Sequence, residues 1–140
     1  MVTSTDRTGA IGFVVSDFAD NIIFAGARRF SGIITPLVIE ALAIRTSMEE
    51  TIPKGFSAVI FEGDCQVLIN AANASSSDDR DAGVVLEDIF NLVFRFSEIR
   101  FQYVNRKCNW VAHLVAKKAL IDDCFCRSHH TVMEWLTQVC

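Results

Sequence analysis

The amino-acid sequence predicts an α/β fold, in which helices flank a mixed β-sheet. Two strand-like segments joined by a short polar turn come first, within residues 9–27, and predict an antiparallel hairpin. Helix-like and strand-like segments then alternate along the chain, which is typical of parallel strands joined by crossover helices. With 140 residues, of which 51% are hydrophobic, the chain is long enough for one domain with its own core.

The hairpin is the first predicted element. GAIGFVVS at residues 9–16 and NIIFAGA at 21–27 are rich in aromatic and β-branched residues, as strands are. The turn between them, at 17–21, contains Asp and Asn, which are typical of hairpin turns. A third strand is predicted around Phe30 and Ile33–Ile34, where Gly32 would mark a bend.

A helix and a buried strand are predicted next. Thr35 and Pro36 are a typical N-cap and first helical residue. AVIF at 58–61 predicts a short buried strand, and Asp64 is a suitable N-cap for a helix that follows it. The remaining segments are predicted in the order polar loop (74–81), helix (84–96), strand (99–104), helix capped by Asn109 (110–120) and tail with a short helix around 132–139.

Composition and charge exclude several classes of protein. The net charge of −4 argues against a histone-like coat for nucleic acid, whereas a metal-dependent nuclease needs carboxylates and stays compatible with it. No run of about 18 apolar residues is present, so no membrane span is predicted. The first ten residues contain no apolar signal segment, and the five cysteines are an odd number. We therefore expect reduced thiols in an intracellular protein, nuclear or cytoplasmic.

Charged side chains occur at places where a site could form. Glu40 lies early in the first helix, Asp64 follows the strand at 58–61, and residues 105–109 (NRKCN) are polar and basic. Ligands of open α/β sheets bind at the edge where the strands end. Two carboxylates held close together repel unless a hard cation such as Mg²⁺ lies between them. From the residues alone, the commoner interpretation is a surface glutamate and a helix-capping aspartate.

Four motifs in a specific order carry a family resemblance. They are AIGFVVSD (10–17), IEALAI (39–44), VIFEGDCQVLINAAN (59–73) and FQYVNRKCNWVAHLVAKKAL (101–120). Together they resemble the ribonuclease H-like (RNase H-like) domain of plant reverse-transcriptase-type proteins. The resemblance implies an RNase H-like mixed sheet over residues 9–120, a disordered N-terminus at 1–8 and a C-terminal tail at 121–140. In that family, four carboxylates hold two Mg²⁺ ions that cut the RNA strand of an RNA–DNA hybrid.

The resemblance assigns roles to individual residues. Glu40 matches the glutamate of the family's A-E-A-x-A motif, and Asp64 matches the aspartate of E-[ST]-D. Both are thereby implied to be catalytic residues and metal ligands. Arg106 and Asn109 match the pair in V-x-R-x-x-N, and with Lys107 they are implied to bind nucleic acid.

Two departures from the family pattern concern the other carboxylates. The family's first aspartate lies on a strand that precedes the hairpin. Here Asp6 is the carboxylate ahead of Gly9, and the first strand is predicted to be missing. His113 stands where the family has the last aspartate, in A-D-x-L. A neutral imidazole can bind a metal but prefers softer ions than Mg²⁺. Asp6 and His113 are therefore the candidates for the third and fourth catalytic positions.

The resemblance implies a domain that binds an RNA–DNA hybrid or RNA, with Mg²⁺ as its cofactor if it is active. Cleavage is expected to be impaired or absent because the two-metal site is degenerate. Two alternatives stay open: a non-catalytic module that binds nucleic acid or protein, and a decayed remnant of the domain. The sequence predicts no oligomeric state.

Overall fold

The computed structural model describes residues 8–32, 35–76 and 79–139. Its strands and helices are, in chain order, β1 (Thr8–Ser16), β2 (Ile22–Ser31), α1 (Pro36–Thr51), β3 (Ala58–Gly63), α2 (Gln66–Ala74), α3 (Arg80–Leu92), β4 (Glu98–Tyr103), α4 (Trp110–Ile121) and α5 (His129–Val139). Short 3₁₀ helices lie at Ile52–Lys54, Val93–Arg95, Arg106–Asn109 and Asp123–Arg127. Within these ranges, no helix is long and apolar enough to cross a membrane.

The described strands form two sheets of two strands each. β1 and β2 pair antiparallel, and β3 and β4 pair parallel. Both kinds of pairing agree with the mixed α/β fold predicted from the sequence. The chain divides into two compact units, which we call the hairpin unit (residues 1–39 and 110–140) and the parallel-strand unit (residues 40–109).

A hydrogen-bonded turn joins β1 to β2, as the sequence predicts. Asp17 Oδ1 accepts hydrogen bonds from the backbone N–H groups of Ala19, at 2.9 Å, and Asn21, at 3.0 Å. Asn21 Nδ2 donates to Asp17 Oδ2 at 3.3 Å. Asp20 has a φ of 63°, in the left-handed region that aspartate enters more readily than most residues. The hydrogen bonds from Asn21 to the carboxylate lower the pKa of Asp17 from its ordinary value of 3.8.

The lowered pKa of Asp17 predicts how the turn responds to acid. A group whose pKa is lower in the folded chain contributes stability above its unfolded pKa and loses it as the pH falls through the folded pKa. We expect the gap in unfolding free energy between the wild type and Asp17→Ala to be constant from neutral pH to about pH 4 and to shrink below it. Urea unfolding at several pH values measures the gap. A gap that widened below this pH would contradict the prediction.

The predicted third strand near Phe30 is wrong. Phe30 belongs to β2 and lies opposite Gly9, because β1 offers backbone partners to β2 as far as Ser31. The separate strand was predicted around Phe30 and Ile33–Ile34, with Gly32 as a bend. Gly32 has a φ of 113° and directly follows the last residue of β2. Residues 33 and 34, the rest of that prediction, lie outside the described residues.

Close contact between α4 and β1 organises the hairpin unit. A Cβ atom on Gly12 would lie 2.7 Å from the Ala112 carbonyl oxygen, the Ala116 backbone nitrogen and the Val115 Cβ. Such distances are far below van der Waals contact, so only glycine lets the helix backbone come this close to the strand. Gly12 therefore sets the depth at which α4 packs on β1.

The segment after α4 also belongs to the core of the hairpin unit. Phe125, in the last 3₁₀ helix, is 2% exposed and packs edge-on against Trp135, with ring centroids 5.1 Å apart. The buried cluster to which Phe125 belongs consists of Ala10, Ala25, Val115, Ala119, Phe125, Val132 and Leu136. The sequence predicts a tail with a short helix around 132–139; the helix is present and begins at His129. The domain boundary at residue 120 stays a prediction.

In the parallel-strand unit, β3 is less buried than its apolar sequence predicts. Phe61 is buried against the rings of Phe96 and Phe101, with centroids 5.6 and 6.0 Å away. Ile60, by contrast, is 46% exposed. Successive side chains of a strand point to opposite faces, so the prediction of a fully buried strand is wrong for the face that carries Ile60.

Two helix starts show how capping decides the boundaries. Thr35 Oγ1 accepts a hydrogen bond from the Val38 N–H at 3.2 Å, as predicted for an N-cap. Asp79 Oδ1 accepts one from the Ala82 N–H at 2.7 Å and starts α3 at Arg80. The predicted start at residue 84 is therefore four residues late, because the cap lies inside the segment that the sequence predicts as a polar loop.

Candidate functional site

The parallel pairing of β3 and β4 brings two predicted site segments to one edge of the sheet. Gly63, the last residue of β3, lies opposite Tyr103, the last residue of β4. The backbone N–H of Val104 then donates to the Gly63 carbonyl oxygen at 2.9 Å. Asp64 and Asn105, the next residues of each segment, therefore leave the sheet at the same carboxyl edge.

Asp64 is partly buried and does not cap α2, so its predicted role as N-cap is wrong. The helix begins at Gln66, and Cys65 occupies the N-cap position without a side-chain hydrogen bond. Cys65 is extended (φ −103°, ψ 97°), and its carbonyl oxygen accepts from the Ile69 N–H at 3.0 Å. The extended residue delays the helix and leaves Asp64 between the strand and the cap.

The turn after β4 holds two cations at the surface. Asn105 Oδ1 accepts a hydrogen bond from the Cys108 N–H at 3.0 Å and so shapes the 3₁₀ helix that follows. Asn109 ends this 3₁₀ helix and directly precedes α4, and its role as the cap of α4 stays a prediction. Arg106 and Lys107 are exposed. Within the described ranges neither forms an ion pair, so both can meet an anionic ligand.

Three further residues were predicted to be catalytic: Glu40, His113 and Asp6. Glu40 lies in the second turn of α1 and is partly buried, between the buried Ile39 and Ala41. It belongs to the parallel-strand unit, as Asp64 does. His113 is partly buried in α4 and belongs to the hairpin unit. Asp6 and the segment in which the first strand was predicted to be missing lie outside the described residues.

A pair of Mg²⁺ ions would need several carboxylates close together. Over residues 8–32, 35–76 and 79–139, no three His, Cys, Asp or Glu side chains are grouped so that they could hold a metal ion. Mg²⁺ prefers octahedral coordination by oxygen atoms and needs negative charge around it. Glu40 and Asp64 alone would supply two of the four carboxylates that the family resemblance implies.

Sequence reasoning missed one side chain that supports the site. Asn73 Nδ2 donates a hydrogen bond to the Phe101 carbonyl oxygen at 3.1 Å and so ties the end of α2 to β4. In the sequence, Asn73 is visible only as a polar residue at the end of the stretch INAAN (69–73). A polar residue in that position is equally expected where a helix simply ends. Asn73 anchors the helix that follows Asp64 to the strand that precedes Asn105.

The fold is similar to that of several solved structures. The described structure is similar to RNase H1 from Halobacterium salinarum, with a TM-score of 0.80 and 21% identity over 87% of this chain and 92% of that one. It is also similar to the N-terminal RNase H domain of a Mycobacterium tuberculosis protein (TM-score 0.76, 16% identity, 84% and 86% coverage). An RNase H1 isolated from compost matches at a TM-score of 0.73, with 16% identity and 85% and 91% coverage. The chain therefore has an RNase H-like fold.

Sequence comparison then gives the family. The sequence model of the reverse transcriptase-like family matches residues 1–119, which is most of the chain. The protein belongs to this reverse transcriptase-like family, and its RNase H-like domain is the one that the four motifs predict. No curated protein sequence matches the chain.

Proposed function

We propose that this RNase H-like domain binds an RNA–DNA hybrid or RNA at the carboxyl edge of β3 and β4. The observation that carries the proposal is the parallel register, which brings Asp64 and the cationic turn of Arg106 and Lys107 to one edge. Phosphate contacts from arginine and lysine supply most of the affinity of proteins for nucleic acid. The similarity to solved RNase H structures supports a hybrid as the ligand.

We further propose that the metal site is degenerate and that hybrid cleavage is impaired or absent. Glu40 and Asp64 are the proposed metal ligands, and a bound Mg²⁺ pair would supply activated water and charge neutralisation at a phosphate. The described donor set does not support two such ions. His113, in place of the family's last aspartate, supports the same conclusion because imidazole prefers softer metals.

Two alternatives to an active nuclease were left open by the sequence: a non-catalytic binding module and a decayed remnant. The grouping of metal-ligating side chains among the described residues favours the first, as a module that binds nucleic acid. In that case Arg106, Lys107 and Asn109 act in binding without any chemistry. The intracellular location and the plant association stay predictions from the sequence.

Binding and cleavage of one labelled RNA–DNA hybrid test the proposal. We expect the wild type to bind the hybrid, and Arg106→Ala and Lys107→Ala each to weaken binding and to reduce the salt dependence by about one phosphate contact. Arg95→Ala is the matched control. Arg95 is also an exposed cation in a 3₁₀ helix, but it precedes β4 and so lies toward the opposite end of that strand. Equal loss in all three variants would contradict a site at the carboxyl edge.

Cleavage of the same hybrid in Mg²⁺ or Mn²⁺ tests the degenerate site. We expect the wild type to cleave weakly or not at all, and His113→Asp to raise cleavage because it adds a carboxylate. Asp64→Asn should remove whatever cleavage exists while hybrid binding persists. Strong wild-type cleavage that Asp64→Asn abolishes would overturn the proposal of a degenerate site in favour of an active nuclease.

A further inference from the structure

One hydrogen bond joins the end of α2 to the outer edge of β4. Asn73 Nδ2 donates to the Phe101 carbonyl oxygen at 3.1 Å, across 28 positions of the sequence. The N–H groups of Glu98 and Val104 donate to carbonyl oxygens in and just before β3, at 3.2 and 2.9 Å. Backbone groups of a strand alternate in direction, so the odd-numbered Phe101 directs its carbonyl away from β3. Among the described strands β4 pairs with β3 alone, so Asn73 supplies the partner that a further strand would supply.

One face of α2 is held against the strands at two points. Ile69 and Asn73 are four residues apart, so they lie on the same side of the helix. A Cβ atom on Gly63, the last residue of β3, would lie 3.5 Å from Ile69 Cδ1, which is ordinary van der Waals contact. The helix has nine residues, which is too short for a helix to be stable alone. Its direction therefore depends on the contact of Ile69 with the end of β3 and on the hydrogen bond of Asn73 with β4.

This direction fixes the charged groups of the carboxyl edge relative to one another. Asp64 stands two residues before α2, whereas Arg106 and Lys107 follow β4, and all three belong to the parallel-strand unit. Neither cation forms an ion pair among the described residues, although Asp64 leaves the sheet at the same edge. Opposite charges attract when their segments are free to approach. A helix held at two points keeps the Asp64 carboxylate from turning toward the two cations.

We propose that Asn73 is a positioning residue of the nucleic-acid site. Its hydrogen bond to Phe101 keeps Asp64 away from Arg106 and Lys107, so that both cations stay available to phosphate groups of the ligand. The inference rests on the proposed function, because it assumes that the ligand binds at this edge. Asn73 acts through Asp64 and does not itself contact the ligand.

Binding of the labelled hybrid in EDTA, with no metal ion present, tests the inference. We expect Asn73→Ala to weaken binding about threefold at low salt, an effect of the size that one exposed ion pair supports. The loss should shrink at high salt, because the charge of Asp64 is then screened. Asn73→Ser should give the same loss, because its side chain is one atom shorter and cannot span the same distance.

Asn70→Ala is the matched control on the same helix. Asn70 is also an exposed asparagine of α2, but its Oδ1 accepts a hydrogen bond from Gln66 Nε2 within the helix, at 2.9 Å. We expect Asn70→Ala to bind the hybrid as the wild type does. An equal loss in Asn70→Ala and Asn73→Ala would contradict a specific role of the bond to β4.

A double-mutant comparison separates positioning from a purely structural role. Asp64→Asn keeps the shape of the side chain and removes its charge, so in that background Asn73→Ala should cause no further loss of binding. A purely structural role of Asn73 would give the same loss in both backgrounds and would overturn the inference. Because Asn73 is exposed and fills no core, urea unfolding of Asn73→Ala should differ little from that of the wild type. A large loss of stability in both Asn73 variants would likewise show a structural role and overturn the inference.

The same measurements keep this inference distinct from the proposed function. Equal binding of the hybrid by the wild type and Asn73→Ala would overturn the inference and leave the proposed function standing. Failure of the wild type to bind the hybrid would overturn both.

Discussion

Replacing Gly12 with alanine is expected to destabilise the protein by about 3 kcal/mol or more, a large part of the stability of a typical domain. The added Cβ would lie 2.7 Å from two backbone atoms of α4, at Ala112 and Ala116. Backbone atoms inside a helix cannot move aside individually, so the whole helix must shift away from β1 or the hairpin must distort. Urea unfolding followed by circular dichroism measures the loss, and we expect a lower midpoint or no folded baseline.

Gly83→Ala is the matched control for this prediction. Gly83 lies in the interior of α3, and no heavy atom lies within 4 Å of the Cβ that alanine would add. Alanine should therefore stabilise the helix by about 0.5–1 kcal/mol, because it removes backbone freedom from the unfolded chain. If Gly12→Ala stayed within about 0.5 kcal/mol of the wild type, α4 would not pack as closely on β1 as the structure has it.

Phe125→Ala is expected to cost about 3–5 kcal/mol, the usual loss for a buried phenylalanine. Phe125 is 2% exposed, contacts Trp135 and belongs to the same buried cluster as Val115 of α4. The mutation would leave a cavity among residues from both ends of the chain. Thermal and urea unfolding measure the effect, and we expect loss of the edge-on ring contact to change the near-ultraviolet circular dichroism of Trp135.

The same prediction bears on the segment that lies beyond the family match, which ends at residue 119. Removal of residues 122–140 should destabilise the hairpin unit at least as much as Phe125→Ala, because it also removes Val132 and Leu136. Phe18→Ala is the control, since Phe18 at the tip of the hairpin turn is fully exposed and should change stability by less than about 0.5 kcal/mol. A stable, fully folded truncated chain would show that this segment is a dispensable addition.

Much of the fold can be predicted because its signals are local. The turn at Asp17 and the helix start at Thr35 and Pro36 both depend on residues a few positions apart. Phe30 was assigned to a separate third strand together with Ile33–Ile34, with Gly32 as a bend within it. The choice was made by the pairing of Phe30 with Gly9, which lies 21 residues earlier in the chain.

Part of the candidate site was also predicted, because its signals are local in the sequence. Asp64 and the turn at 105–109 were recognised as polar segments that follow strands, and the parallel register places both at one edge. The N-cap of α2 was assigned to Asp64, whereas Cys65 occupies that position. The extended conformation of Cys65 decides where α2 begins, and it has no distinctive sequence signal.

The sequence by itself determined the class of fold, the order of its elements and the departures from the family's carboxylates, because these follow from residue types and short-range periodicity. Only the tertiary structure decided which faces are covered. It left Ile60 and Trp110 half exposed, buried Phe125 against strands far away in the chain, and made Gly12 indispensable for the docking of α4. The physical reason is that burial depends on segments distant in sequence, whose distances and packing partners no local pattern records.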